Sequence, residues 1–87
     1  MNYQDQVVVL TGASGGIGSA MAKKFTDLGA KVALLDITVD RVQALADKLG
    51  LGSDSAFCAA VDVSNEESVK ATVDAIVKHF GRIDVLV

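Results

Sequence analysis

Four short apolar runs divide the 87-residue chain: "VVVL" from Val7, "VALL" from Val32, "FCAAV" from Phe57 and "IDVLV" from Ile83 to Val87. They start about 25 residues apart. Runs this short, rich in valine and with little polar alternation, predict strands buried on both faces of a sheet. Between them the apolar positions change period. Ile17, Met21, Phe25 and Leu28 share one helical stripe, with Ala20 beside them. Val42, Leu45, Ala46 and Leu49 form a second stripe, and Val69, Val73, Ile76, Val77 and Phe80 a third. Spacings of three, four and seven line up on one face of a helix.

Boundary residues agree with this reading. Gly29, Gly50 and Gly81 each follow a helical stripe, where a left-handed C-terminal cap favours glycine. Ser64 and Glu67 have the spacing of a capping box for the third helix, and Thr38 can cap the second. The chain has no proline to interrupt an element. "GLGSDS" from Gly50 to Ser55 reads as the one loose loop.

The order is strand, helix, strand, helix, strand, helix, strand. Helical crossovers join parallel strands with right-handed geometry. The fold class expected is α/β: part of a doubly wound Rossmann fold, one parallel sheet with strand order 3-2-1-4 and three crossover helices. Residues 1–87 are expected to form the N-terminal part of a single Rossmann domain, truncated after the fourth strand. The first two helices lie on one face and the third on the other.

Composition narrows the function. The net charge is −3, with the basic residues dispersed, so neither nucleic acid nor a membrane surface is expected as a partner. No apolar run approaches the roughly 20 residues of a membrane helix, and "MNYQDQ" does not resemble a secretory leader. Cys58 is the single cysteine, which excludes an intramolecular disulfide. A cytoplasmic protein is the expectation.

The main chemical signal is "TGASGGIG" at residues 11–18, where the first strand meets the first helix. Glycine there lets the backbone turn tightly and approach a pyrophosphate, and the helix that follows offers unpaired N–H groups to the anion. The spacing is T-G-x-x-x-G-x-G, through Thr11, Gly12, Gly16 and Gly18, with Gly15 an extra glycine in the gap. No Gly-Lys-Ser/Thr follows, so it is not a mononucleotide P-loop. Gly12 makes the turn, Gly16 admits the backbone to the ligand, and Gly18 lets helix and sheet pack closely. A glycine turn that serves packing alone is the alternative. Asp36 stands 18 residues after Gly18, at the end of the second strand, where a carboxylate can accept from the adenosine ribose hydroxyls. Aspartate is also an ordinary turn residue there.

With Asp36 closing the second strand and Asp62-Val63 following the third, "TGASGGIG" resembles the short-chain dehydrogenase/reductase family. It is most similar to the 3-oxoacyl-carrier-protein reductases and the hydroxyacyl or alcohol dehydrogenases. The resemblance runs the whole length of the chain. It implies an oxidoreductase that moves a hydride between a nicotinamide cofactor and a small-molecule carbonyl or alcohol substrate. It implies a cofactor site of Gly12, Ser14, Gly15, Gly16, Ile17, Gly18, Asp36, Ile37, Asp62 and Val63. In the family the aspartate matching Asp62 bonds the adenine amino group and the residue matching Val63 lies near the ring. Asp62 can equally be a loop aspartate ahead of the helix cap.

NAD is the expected cofactor. A 2′-phosphate would meet the charge of Asp36, and Ile37 and Thr38 supply no cation beside it. Gly15 occupies a position where the resemblance places a basic residue in many NADP-dependent members. No catalytic residue is expected in this chain. The family's acid is the tyrosine of a Tyr-x-x-x-Lys helix, whereas Tyr3, the only tyrosine, is followed four places on by Val7. The family continues after the fourth strand with Asn-Asn-Ala-Gly and the catalytic serine, tyrosine and lysine, so the chain corresponds to about the first third of a member and is expected to be inactive alone. Cys58 reads as a small core residue, His79 as a cation suited to a helix C-terminus, and Glu66 and Glu67 as first-turn acids; no metal site is expected. An unpaired fourth strand and an open face predict a homo-oligomer. A non-catalytic NAD-sensing module and a structural fragment without ligand are the alternatives from other classes. A methyltransferase is disfavoured by the glycine spacing.

Overall fold

A computed structural model describes residues 3–13 and 15–87. Seven elements alternate: β1 (Val7–Thr11), α1 (Gly16–Asp27), β2 (Lys31–Asp36), α2 (Val39–Lys48), β3 (Ala56–Ala60), α3 (Glu66–Phe80) and β4 (Val85–Leu86). The strands form one parallel sheet in the order β3-β2-β1-β4. This is the α/β alternation that the apolar pattern predicts, in the strand order 3-2-1-4 expected of doubly wound topology.

The pleat sorts the core into two layers. Val8 and Leu10 of β1 and Val32 and Leu34 of β2 join Ala22 of α1 and Val42, Leu45 and Ala46 of α2. Their chain neighbours Val7, Val9, Ala33 and Leu35 point the other way and join Ile76 of α3. Register makes this consistent, since Val8 stands beside Val32 and Val9 beside Ala33. The first two helices therefore share a face and the third covers the opposite one.

Several boundaries move, each for a physical reason. β1 and β2 are buried on both faces, but the edge strand β3 is only half-buried at Phe57, Cys58 and Ala59. Val61 falls outside β3, although its N–H still donates to the Asp36 carbonyl at 2.8 Å. β4 covers Val85–Leu86 and not Ile83–Val87. Where a main-chain carbonyl of β4 would receive the Val7 N–H, the Asp84 carboxylate takes it at 2.8 Å.

The stripe on α1 is also rotated from expectation. Ala22 is buried and Met21 and Phe25 are half-buried, while Ile17 is 81% exposed and Ala20 also faces solvent. The face that meets the sheet runs through Gly18 and Ala22, four residues apart. On α3, Thr72 is buried and Val73 and Val77 are exposed. The Thr72 hydroxyl can be buried because it donates to the Ser68 carbonyl at 2.8 Å.

The three C-terminal glycines adopt positive φ, from +70° at Gly50 to +92° at Gly29. The N-caps differ from expectation. Thr38 occupies the cap of α2 without a side-chain bond. Asn65, not Ser64, caps α3, its Oδ1 accepting from the Ser68 N–H at 3.1 Å. Ser64 is engaged by Asp62 instead. The loop after Gly50 is held to α3, with His79 Nε2 donating to the Ser53 carbonyl at 2.8 Å. Cys58 lies half-buried on β3, its thiol 3.6 Å from the Val42 carbonyl, and burial pushes its pKa up.

Asp84 clamps β4 to the start of β1. Arg82 at 2.6 Å and the Val7 N–H hold its carboxyl below the usual aspartate range. A lowered pKa stabilises the fold above the ordinary value, and that contribution is lost as pH falls through the lowered one. Asp84→Ala is expected to lower the melting temperature at neutral pH. It also removes part of the decline that the wild-type chain shows below about pH 4. Circular-dichroism melts across acidic pH test this, and parallel curves for the two proteins would refute it.

Candidate functional site

Parallel strands end on the same side of their sheet. Thr11, Asp36 and Ala60 therefore bring the loops after β1, β2 and β3 to one edge. The crossover from β1 runs toward β2, whereas β4 lies on the other side of β1, so the winding reverses at β1. Reversal opens a crevice above the carboxyl ends of the strands. A cavity of about 280 Å³ occupies this place, lined by Thr11, Gly12, Asp36, Ile37, Val61, Asp62 and Val63. An apolar hollow of about 400 Å³ adjoins it on the α3 face and shares Thr11, Val61 and Val63.

The glycine loop is anchored at both ends. Thr11 donates from its backbone N–H and its Oγ1 to the Val87 carbonyl, at 3.2 and 3.0 Å. Buried Ala13 donates its N–H to the Leu35 carbonyl at 3.0 Å, tying the loop to β2. Gly12 turns the chain at φ +63°, and its carbonyl receives the Gly15 N–H at 3.1 Å.

The four glycines answer to different constraints. A Cβ at Gly18 would lie 2.7 Å from both the Gly12 carbonyl oxygen and the Ala13 Cα. Both contacts are backbone, so neither can move aside cheaply. Among the described residues an added Cβ at Gly16 meets nothing within 4 Å, and at Gly15 it makes one ordinary contact at 3.5 Å. Positive φ accounts for Gly12 and close packing for Gly18, but neither accounts for Gly16.

The first turn of α1 fits an anion. Its N-cap Gly15 makes no side-chain cap bond, and the turn carries no acidic residue. The other helices differ. Asp40 stands in the first turn of α2, and α3 has the Asn65 cap with Glu66 and Glu67. The positive end of α1 is thus the one left without a negative side chain of its own among these helices.

The acidic residues occupy the opposite wall. Asp36 ends β2 with its Oδ1 accepting from the Ile37 N–H at 2.7 Å. Asp62 Oδ1 accepts from the Ser64 hydroxyl at 2.6 Å and the Ser64 N–H at 3.0 Å. These two bonds, the hydroxyl first, hold the Asp62 carboxyl below its usual range. The apolar side chains of Ile37 and Val63 stand 72% and 68% exposed at the cavity.

Of the residues read from sequence, Gly12, Asp36, Ile37, Asp62 and Val63 line one cavity. Gly15, Gly16, Ile17 and Gly18 follow along the cap and first turn of α1, and Ser14 lies outside the described residues. Thr11, Ala13 and Val61 build the site without having been singled out for it. The threonine of the motif was a usable signal for the first. Nothing local distinguishes Val61 from a core valine. Among the described residues no group of His, Cys, Asp and Glu could hold a metal, and no helix is long and apolar enough to cross a membrane.

Residues 6–87 match the family described as short chain dehydrogenase. The chain is 42% identical over 84 residues to a D-threitol dehydrogenase of Mycolicibacterium smegmatis, covering 94% of this chain and 32% of that protein. A 3-ketoacyl-(acyl-carrier-protein) reductase from Brucella melitensis, complexed with NADH, superposes with a TM-score of 0.89 at 36% identity, over 98% of this chain and 34% of that one. A metagenomic short-chain oxidoreductase in complex with NADP gives 0.86 at 36% identity, over 95% and 38%. The chain thus spans about a third of the length of the relatives it matches.

The glycine geometry yields a stability test. Gly18→Ala is expected to cost about 1–3 kcal/mol, because the new methyl group must displace backbone. Gly16→Ala is expected to stay within about 1 kcal/mol of wild type. Urea titrations that rank the two equally would contradict the assignment.

Proposed function

The chain belongs to the short-chain dehydrogenase family, and from that premise we propose that it is the adenosine-binding part of an NAD-dependent oxidoreductase. The observation that carries the reading is the placement of Asp36 in the crevice that Gly12 opens. Gly15 and Gly16 bring the backbone to the pyrophosphate, with the first turn of α1 supplying N–H donors and Ile17 beside them. Asp36 accepts from the ribose hydroxyls. Ile37 and Val63 bound the adenine, and Asp62 accepts from its amino group. Bound NAD supplies the hydride acceptor at its nicotinamide ring. These residues fix the cofactor's far end and exclude wrong cofactors; the reacting carbon lies away from them.

NAD is favoured over NADP by charge. A 2′-phosphate brought to Asp36 places like charges together in a partly dehydrated crevice, and Ile37 and Thr38 offer no cation to compensate. Relatives of similar fold include a complex with NADH and one with NADP, so the preference rests on Asp36. The substrate of the whole protein is a small carbonyl or alcohol compound. The 87-residue chain, which contains no Tyr-x-x-x-Lys, is proposed to bind cofactor without turning it over. Exposed Val73, Val77 and Leu86 favour self-association of the chain.

Calorimetry with both dinucleotides tests the reading. The wild-type chain is expected to favour NAD. Asp36→Ala is expected to cut that preference about tenfold or more, mainly by tighter NADP binding. An unchanged ratio would remove Asp36 from the site. Gly16→Ala is expected to weaken binding of both dinucleotides alike while leaving the fold intact. A ligand-free structural role predicts no heat from either.

A further inference from the structure

Ser64 has the sequence position of a helix cap, yet the structure gives that task to Asn65. What Ser64 does instead is hold a carboxylate. Its hydroxyl and its N–H both donate to Asp62 Oδ1, at 2.6 and 3.0 Å. The backbone of Asp62 is fixed as well, because its N–H donates to Ser68 Oγ at 3.1 Å and its carbonyl receives the Asn65 N–H at 3.0 Å. Ser68 is itself held by the Asn65 cap. The first turn of α3 is therefore a bracket around one aspartate.

The chemistry of that bracket is selective. With Oδ1 occupied by two donors, Oδ2 is left as the acceptor of a residue that lines the crevice, and among the described residues it takes no hydrogen bond. An ionised, fixed carboxylate oxygen can only accept. It rewards an amino group on a purine ring and rejects a carbonyl oxygen at the same place, because two acceptors cannot pair.

We propose that Ser64 is a positioning residue that makes this crevice selective for a 6-amino purine over a 6-oxo purine, by fixing the carboxylate of Asp62. The proposal rests on the dinucleotide reading above. Without the hydroxyl only the residue-64 N–H still holds Oδ1, and the carboxylate is held less firmly at the place where the ring's substituent differs.

Nicotinamide adenine dinucleotide and nicotinamide hypoxanthine dinucleotide separate the cases, since they differ at that one substituent. The wild-type chain is expected to favour the adenine form. Ser64→Ala is expected to reduce the ratio of the two affinities about tenfold, the worth of one charge-assisted hydrogen bond, chiefly by weakening the adenine form. Ser64→Thr restores the hydroxyl and is expected to recover the ratio. Asp62→Asn is expected to abolish the preference, and adding Ser64→Ala to it is expected to change nothing further, as coupled positions require. The inference fails if Ser64→Ala keeps the wild-type ratio, if the threonine variant loses it as the alanine does, or if the two sites act additively. A wild-type chain that binds neither dinucleotide overturns the nucleotide reading itself, and this inference with it.

Discussion

β1 is paired on both sides, and the rest of the structure depends on that. Its hydrogen bonds run to β2 in one direction and to β4 in the other. Right-handed crossovers then leave no choice of face: helices that lead one way cover one side of the sheet, and the helix that leads back covers the other. Because successive loops diverge at the carboxyl end of β1, a crevice opens there without any residue being spent on making a hole. Burial of Val7, Val8, Val9 and Leu10 on both faces holds the strand at the centre.

The loop after β1 shows how one short segment meets two sets of demands. Gly12 and Gly18 are required by the protein: one turns at positive φ and the other lets α1 lie on backbone atoms of the loop. Gly16 is not required in this way, since a side chain there meets open space. A glycine that folding does not need, at a helix end without acidic neighbours, is the feature expected where a ligand supplies the missing contacts. The opposite wall follows a similar division. Asp36 and Asp62 both sit at strand exits, and Asp62 is braced there by a hydroxyl from the following turn.

Much of this was legible in the chain. The spacing of apolar runs predicts four strands and the change from continuous to helical period predicts three helices, because burial on two faces and burial on one leave different patterns; the strand order follows only from the doubly wound topology. The glycine spacing marks the turn after β1, since Gly12 needs positive φ and Gly18 close approach, and Asp36 is legible as the residue that closes β2. The misreadings share a cause. Ser-x-x-Glu at Ser64 is a frequent capping pattern, but Asp62, two residues earlier, competes for the same hydroxyl and wins with a charged acceptor. Periodicity puts Ile17 and Ala20 on the buried stripe of α1, because it gives the period of a helix but not its rotation about its own axis. In the fold the face through Gly18 and Ala22 meets the sheet, and Gly18 leaves no room for a side chain there.

The amino-acid order was thus enough to fix which segments become strand or helix, how they are joined and which loop carries the glycines. These depend on neighbours in the chain and on the handedness of L-residues. The meeting of Gly12, Asp36, Ile37, Asp62 and Val63 around one cavity required the folded sheet, because their nearness is across strands and not along them. The same holds for the Asp84 clamp on Val7, which joins residues 77 positions apart. Such contacts have no local signature: each is made by an ordinary side chain whose partner is chosen by register.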